Sequence, residues 1–133
     1  MDIEYNKEEV REKFKDLFEH SLDLIYVNDL YGNFLDANEL TLISLGYERK
    51  DIPNLSFTDL LDRDNLIKAF NTLEEVKKTG KQSAQREYKL KTKTGDYIFI
   101  ETYSIPLKKN GKLYGILGIA KNITKRISFF IKH

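Results

Sequence analysis

Apolar residues recur with a helical period at the start of the chain and with a shorter period near its end. In KEEVREKFKDLFEH a narrow apolar stripe is flanked by charged faces, and Asn6 with Glu9 has the spacing of a capping box. The pattern predicts an amphipathic helix within residues 1–21. The stripe consists of Val10, Phe14, Leu17 and Phe18.

The middle of the chain predicts two strands followed by helices. The runs LDLIYVND and NFLDAN are separated by a glycine-containing turn, which is typical of two adjoining strands. ELTLISLGY then has the pattern of a helix that ends at Gly46. A longer helix is predicted over residues 63–79, where apolar residues keep to one face and Gly80 follows the last turn.

Three further strands are predicted in the last third of the chain. QREYKLKTK alternates apolar and polar residues, YIFIETYSIPL follows a TGD turn, and an Asn-Gly turn leads into GKLYGILGIAKN. The last run is apolar on both alternating faces, so we expect a central strand that is covered on both sides. Two strands, a helical insertion and a three-strand antiparallel meander define an α+β fold.

Composition narrows the class of protein. The 133 residues fit a single domain, carry a formal net charge of +1 and include no cysteine. The balanced charge gives no general attraction to nucleic acid, and no apolar run reaches membrane-spanning length. We therefore expect a cytoplasmic protein with no nucleic-acid partner and no membrane insertion.

Residues that would support catalysis are scarce. The histidines are His20 and His133, too few for a histidine metal cluster. The chain has neither a G-x-x-x-x-G-K-[ST] phosphate loop nor a G-x-S-x-G nucleophile elbow. Asp29 and Asp36 flank a turn, where aspartate favours local backbone hydrogen bonds, so we interpret them as turn residues. We predict no catalytic site and no metal site.

Several motifs in a fixed order resemble the PAS domain family over about residues 14–126. LFEHSLDLIYVNDLYGNFLDAN has the D-x-x-G turn of the family at Asp29 and Gly32, and LGYERKDI is similar to its glycine–aromatic helix end. REYKLKTKTGDYIFIE resembles the run E-x-R-x-x-x-x-D-G-x-x-x-W-x-E. GILGIAKNIT resembles G-x-x-G-x-x-x-D-I-T, with Asn122 in place of the aspartate.

The resemblance implies a PAS-like five-stranded antiparallel sheet with a helical insertion between strands 2 and 3, preceded by the amphipathic helix. It divides the chain into that helix at 1–21, a PAS domain at 22–124 and a C-terminal exit or linker segment at 125–133. In this family a ligand cavity lies between the inserted helices and the sheet. The implied pocket candidates are Leu42, Leu60, Leu66, Phe70, Tyr88, Leu90, Ile100, Thr102 and Leu117.

The resemblance also bears on the cofactor. Light-sensing flavin members use a cysteine that attacks the flavin ring, and Phe57 occupies that place here. Haem members bind iron through a histidine on the long helix, and residues 63–79 contain none. We therefore expect no flavin and no haem, and a small, mostly apolar ligand or no ligand at all.

The implied function is non-catalytic sensing or interaction within a signal-transduction protein such as a sensor histidine kinase. We expect a homodimer in which the apolar stripe of the first helix lies on the outer sheet face. That face is expected to offer Phe99, Tyr103, Ile116 and Gly118. Asn122 and Thr124 are expected to form the exit toward an output kinase or another signalling domain.

Two alternative functions remain open from the sequence. A small α+β cone-type enzyme or ligand carrier would need an acid or a histidine in the cavity, where Tyr88, Thr102 and Ser104 are the polar candidates. An RNA-binding sheet would need exposed aromatic residues on a basic face. Phe99 and Tyr103 are available for that purpose, but the balanced charge of the chain argues against it.

Overall fold

A computed structural model describes residues 6–126 of the chain. Residues 1–5 of the predicted helical segment and residues 127–133 of the predicted exit segment lie outside the described residues. The elements follow in this order: α1 (Lys7–His20), β1 (Leu24–Asp29), β2 (Phe34–Ala37), α2 (Glu39–Leu45), a 3₁₀ helix (Arg49–Asn54), α3 (Phe57–Leu60), α4 (Arg63–Thr79), β3 (Arg86–Lys91), β4 (Tyr97–Lys109) and β5 (Lys112–Asn122).

The strands form one antiparallel sheet in the order β2-β1-β5-β4-β3. Strand β5 is central, as its apolar pattern predicted. The helices inserted between β2 and β3 pack on one face, which we call the inner face. The predicted α+β fold with its N-terminal helix is therefore confirmed. Within residues 6–126, no helix combines the length and apolar character needed to cross a bilayer.

Helix α1 begins at its predicted cap, where the Asn6 side chain accepts a hydrogen bond from the Glu9 backbone N–H at 3.0 Å. Its main packing contact is with α2. Arg49 pairs with Glu19 near the end of α1 at 3.6 Å and with Asp36 of β2 at 3.1 Å. These contacts place the last turn of α1 beside α2 and β2. The prediction that α1 lies on the outer sheet face is wrong for the single chain.

The alternation of β5 has the opposite phase to the predicted one. Ile116 and Ala120 are buried against the helical layer, whereas Leu117 is half-buried and faces the other way. The predictions that Leu117 faces the cavity, and that Ile116 and Gly118 face outward, are therefore wrong. Both alternating sets of residues in β5 are apolar, so the sequence pattern alone does not determine which set faces the helices. The pairing of β5 with β1 and β4 determines which set of residues faces inward.

Candidate functional site

A cavity of about 60 Å³ lies between the inner face of the sheet and helices α3 and α4. A buried water needs roughly 10–15 Å³ of such space, so the cavity has room for a few waters or a ligand of a few heavy atoms. Its apolar walls include Leu24, Leu60, Leu73, Leu90, Ile100 and Ile116. Among the residues that the structure describes, no charged side chain lines this cavity.

Part of the predicted pocket is brought together at this cavity. The predicted residues in the lining are Leu60, Tyr88, Leu90, Ile100 and Thr102. Those on β3 were placed on the correct face because charged residues alternate with them on the other face, which fixes the phase. Those on β4 were placed by the resemblance to the family, since Phe99 and Tyr103 make the other face of β4 apolar as well. Their contact with a ligand stays a prediction.

The rest of the predicted pocket lies elsewhere. The lining does not include Leu42, Leu66, Phe70 or Leu117. Leu42 belongs to a separate cluster with Ile52, and the α2 residues that line the cavity are Thr41 and Leu45. Phe70 packs against Phe57, with 6.0 Å between the ring centroids. Leu66 is half-buried on α4, and Leu117 lies on the outer face of β5.

Tyr26 is the lining residue that sequence reasoning missed most clearly. It pairs with Gly118 across β1 and β5, and a Cβ at Gly118 would lie 2.2 Å from the Tyr26 ring. The missing side chain at Gly118 therefore leaves the space that the ring occupies. A glycine within an apolar strand was the available signal in the sequence. Asn28 and Ile116 also line the cavity and were not predicted to do so.

Two tyrosine–threonine pairs supply polar groups to the cavity. The Tyr26 hydroxyl lies 3.2 Å from Thr102 Oγ1, and the Tyr88 hydroxyl lies 3.0 Å from Thr72 Oγ1. Burial raises the pKa of Tyr26 to about 12 and also raises the pKa of Tyr88, against the hydrogen bonds with threonine, which lower both. Both phenols are therefore neutral at physiological pH.

A row of aromatic rings connects the cavity to the β1–β2 turn. Tyr26 meets Phe34 edge-on, with 5.8 Å between centroids, and Phe34 meets Phe57 at 5.5 Å. Gly32 in the turn has a φ of +88°, and a Cβ there would lie 3.0 Å from the Phe57 ring. Asp29 accepts hydrogen bonds from two backbone N–H groups of the turn, in agreement with its interpretation as a turn residue.

The end of β5 is fastened to β4 through the two predicted exit residues. Asn122 Oδ1 accepts hydrogen bonds from the backbone N–H and the hydroxyl of Thr124, and Thr124 Oγ1 accepts one from the Phe99 N–H at 3.0 Å. Arg126 pairs with Glu101 of β4 at 3.4 Å. The uncharged Asn122 thus acts locally, as an acceptor for the residues that follow it. Its role in signalling stays a prediction.

Large apolar side chains are accessible on helix α1 and on the outer face of the sheet. The stripe of α1 exposes 64% of Phe14 and 62% of Leu17. The outer sheet face exposes 42% of Tyr103 and 38% of Ile105. Exposed apolar residues grouped on one helix or sheet face are typical of interaction surfaces.

Comparisons with known proteins agree with this architecture. The family model described as PAS fold matches residues 34–120, more than half of the chain. The chain therefore belongs to the PAS family. None of the curated proteins matches the sequence.

Solved structures give the same assignment. The PAS domain of a Colwellia psychrerythraea protein is 25% identical with a TM-score of 0.76, and the match covers 88% of this chain and 99% of that one. A domain of a Geobacter sulfurreducens sensory box sensor histidine kinase/response regulator is 28% identical with a TM-score of 0.72, covering 87% and 96%. A sensory box histidine kinase/response regulator from Burkholderia thailandensis shares the fold at 16% identity and a TM-score of 0.67, covering 90% and 91%.

Proposed function

We propose that this PAS domain is a non-catalytic sensory domain of a signalling protein and that its cavity binds a small neutral molecule. The supporting observation is the apolar space between α3, α4 and the sheet, with two tyrosine–threonine hydroxyl pairs in its lining. A concave apolar site with a few placed polar groups is the usual form of a small-molecule site. In this proposal the domain acts in the cytoplasm.

Similarity supports a kinase as the output partner. The domain from Geobacter sulfurreducens, at 28% identity, comes from a sensor histidine kinase/response regulator. The alternatives have weaker support. Among residues 6–126, the cavity lining offers no carboxylate and no histidine for an enzyme of the cone type. On the outer face, Tyr103 stands near Glu101, so the surface lacks the uniform positive charge that RNA binding needs.

We also propose that the domain carries neither flavin nor haem. A cavity of about 60 Å³ is far smaller than the roughly 300–1,000 Å³ of ordinary cofactor sites. The chain has no cysteine to form a flavin adduct, and no histidine lines the described cavity to bind a haem iron. Freshly purified protein should be colourless, as an absorption spectrum will show. A visible absorption band at stoichiometric level would contradict this proposal.

The sensory proposal is tested by a ligand-observed NMR screen of small neutral compounds. Ala69 lines the cavity from α4, so Ala69→Leu should fill the space and abolish binding. Ile67 lies on the same helix with 51% of its surface exposed, so Ile67→Leu is the matched control and should bind as the wild type does. Failure of every compound to bind the wild type, or binding that survives Ala69→Leu, would overturn the proposal.

We further propose that the apolar stripe of α1 forms a homodimer contact. Val10, Phe14 and Leu17 line a shallow groove on α1 together with Glu9 and Lys13. Burial of each large apolar side chain at an interface contributes roughly 1.5–3 kcal/mol. The stripe therefore has enough apolar surface to support association if a second copy covers it.

Charge reversal of the stripe tests the dimer. The double variant Phe14→Glu and Leu17→Glu should be monomeric by light scattering coupled to size exclusion, because two buried carboxylates at the contact would be unpaired. Ile67→Glu places the same charge on an exposed apolar position of α4 and should leave the oligomeric state unchanged. An unchanged dimer in the double variant, or a monomeric wild type, would contradict the proposal.

A further inference from the structure

The contacts of the first tyrosine–threonine pair favour one hydrogen-bond direction. Thr102 Oγ1 lies 3.0 Å from the carbonyl oxygen of Ile119 and 3.2 Å from the Tyr26 hydroxyl. A threonine hydroxyl has one proton, and a carbonyl oxygen only accepts. Both hydrogen bonds form together only when Thr102 donates to Ile119 and Tyr26 donates to Thr102.

The second pair repeats this arrangement on the other side of the cavity. Thr72 Oγ1 lies 3.1 Å from the carbonyl oxygen of Lys68 and 3.0 Å from the Tyr88 hydroxyl. By the same argument, Thr72 donates to Lys68 and Tyr88 donates to Thr72. Both tyrosine protons are used within the protein, so the phenol oxygens offer only lone pairs to a ligand.

The size of the space is set by Tyr26. Its ring lies over Gly118, in the space that a larger side chain at position 118 would occupy. The ring and the cavity of about 60 Å³ share the volume between β5 and the helices. A molecule of a few heavy atoms fits beside the ring, whereas a bicyclic molecule requires the space that the ring occupies.

We propose that the cavity selects a small neutral hydrogen-bond donor, such as a short alcohol, which donates to the oxygen of Tyr26 or Tyr88. Tyr26, whose ring lies over Gly118, sets the upper size limit of the ligand. An anion is disfavoured because the lone pairs of both phenols would repel it and no cation among the described residues lines the cavity. This inference rests on the proposed small-molecule function and adds the class and size of the ligand.

The donor requirement is tested by titrating labelled protein with propan-2-ol and with acetone, which match in size but differ in the donated proton. One hydrogen bond should make propan-2-ol bind about fivefold more tightly to the wild type. In the double variant Tyr26→Phe and Tyr88→Phe this ratio should fall to about one. Tyr103 carries a phenol hydroxyl on the outer face of the sheet, so Tyr103→Phe should keep the selectivity.

The outcomes separate the two proposals. Equal affinity of the wild type for propan-2-ol and acetone overturns the donor requirement and leaves the sensory proposal standing. Selectivity that persists in the double phenylalanine variant also overturns it, because the phenol oxygens would not be the acceptors. Absence of binding by both probes, and by the compounds of the screen, overturns the sensory proposal itself.

The size limit is tested with indole. Tyr26→Ala should bind indole at least about tenfold more tightly than the wild type, because the ligand buries an aromatic surface in the vacated space. Tyr26→Leu is the alternative if the alanine variant does not fold. Equal indole binding by the wild type and by the folded variant would overturn the size limit.

A second measurement, which needs no ligand, tests whether the Tyr26 ring lies over Gly118. Gly118→Ala should lower the melting temperature of the wild type, because its Cβ would meet the Tyr26 ring at 2.2 Å. The same substitution should lower the melting temperature much less in the Tyr26→Leu background, where the ring is gone. An equal loss in both backgrounds would show that Tyr26 does not occupy the space above Gly118.

Discussion

The inner and outer faces of the sheet both present apolar side chains but differ in what covers them. On the inner face, Ile100 and Ile116 are 3% and 2% exposed beneath the inserted helices. On the outer face, Tyr103 and Ile105 remain 42% and 38% exposed. Apolar character alone therefore does not assign a residue to the core. The helical insertion does so, and it leaves the outer face available to a partner.

The largest expected effect distinguishes two neighbouring residues of β5. Ile116→Ala should lower the free energy of unfolding by roughly 2–5 kcal/mol, because Ile116 packs with Leu73 and Val76 in the core. Leu117→Ala should cost about 1 kcal/mol or less, because Leu117 is half-buried on the outer face. The free energy of unfolding of both variants is measured by urea denaturation. A larger loss for Leu117→Ala would show that the phase of β5 is reversed.

The free energy of unfolding should fall at high pH because of Tyr26 on the inner face. Burial raises the pKa of Tyr26 to about 12 from an ordinary value of 10.0, so the folded state keeps a proton that the unfolded chain loses. This contribution is fully present below pH 10 and is lost as the pH rises from 10 to about 12. A shift of this size corresponds to roughly 2–3 kcal/mol.

The measurement is the free energy of unfolding as a function of pH between 9 and 12 in wild-type protein and in Tyr26→Phe. The wild type should lose more stability than the variant across this window. Tyr103→Phe on the outer face is the control, since it leaves Tyr26 in place. Identical pH profiles for the wild type and Tyr26→Phe would contradict the enclosed position of the Tyr26 hydroxyl.

The smallest expected effect concerns the exit from β5. Thr124→Val removes the acceptor of the Phe99 N–H and should cost about 1 kcal/mol in urea unfolding. Asn122→Asp keeps an acceptor for Thr124 and should change stability by less than about 0.5 kcal/mol. If strain passes through this exit, Asn122→Asp should nevertheless change the output of a kinase fused after it. Equal kinase activity in the wild-type fusion and in the Asn122→Asp fusion would show that Asn122 has a purely structural role.

Much of the architecture was predictable because local signals agreed with one another. Asn6 capped α1 as its spacing indicated, and Gly46 and Gly80 end α2 and α4 in the left-handed conformation that glycine favours. Strand β3 carries charged residues on one face, so its inner residues were placed correctly. These features depend on residues close in sequence.

The candidate site was predicted only in part because it depends on contacts between distant residues. Strand β5 is apolar on both faces, so only its pairing with β1 and β4 reveals that Ile116 and not Leu117 faces inward. The Tyr26 ring on β1 lies over Gly118, which is on the last strand and far along the chain. Nothing local to either residue shows that they share one space.

The most direct test of a ligand cavity on the inner face is the position of a bound probe. Intermolecular NOEs from propan-2-ol in the methyl-labelled protein should reach Leu60, Leu90 and Ile116, which line the cavity. Ile105 and Leu117 on the outer face should show none, since the sheet lies between them and the cavity. NOEs confined to Ile105 and Leu117, or the absence of NOEs at saturating probe, would contradict the account.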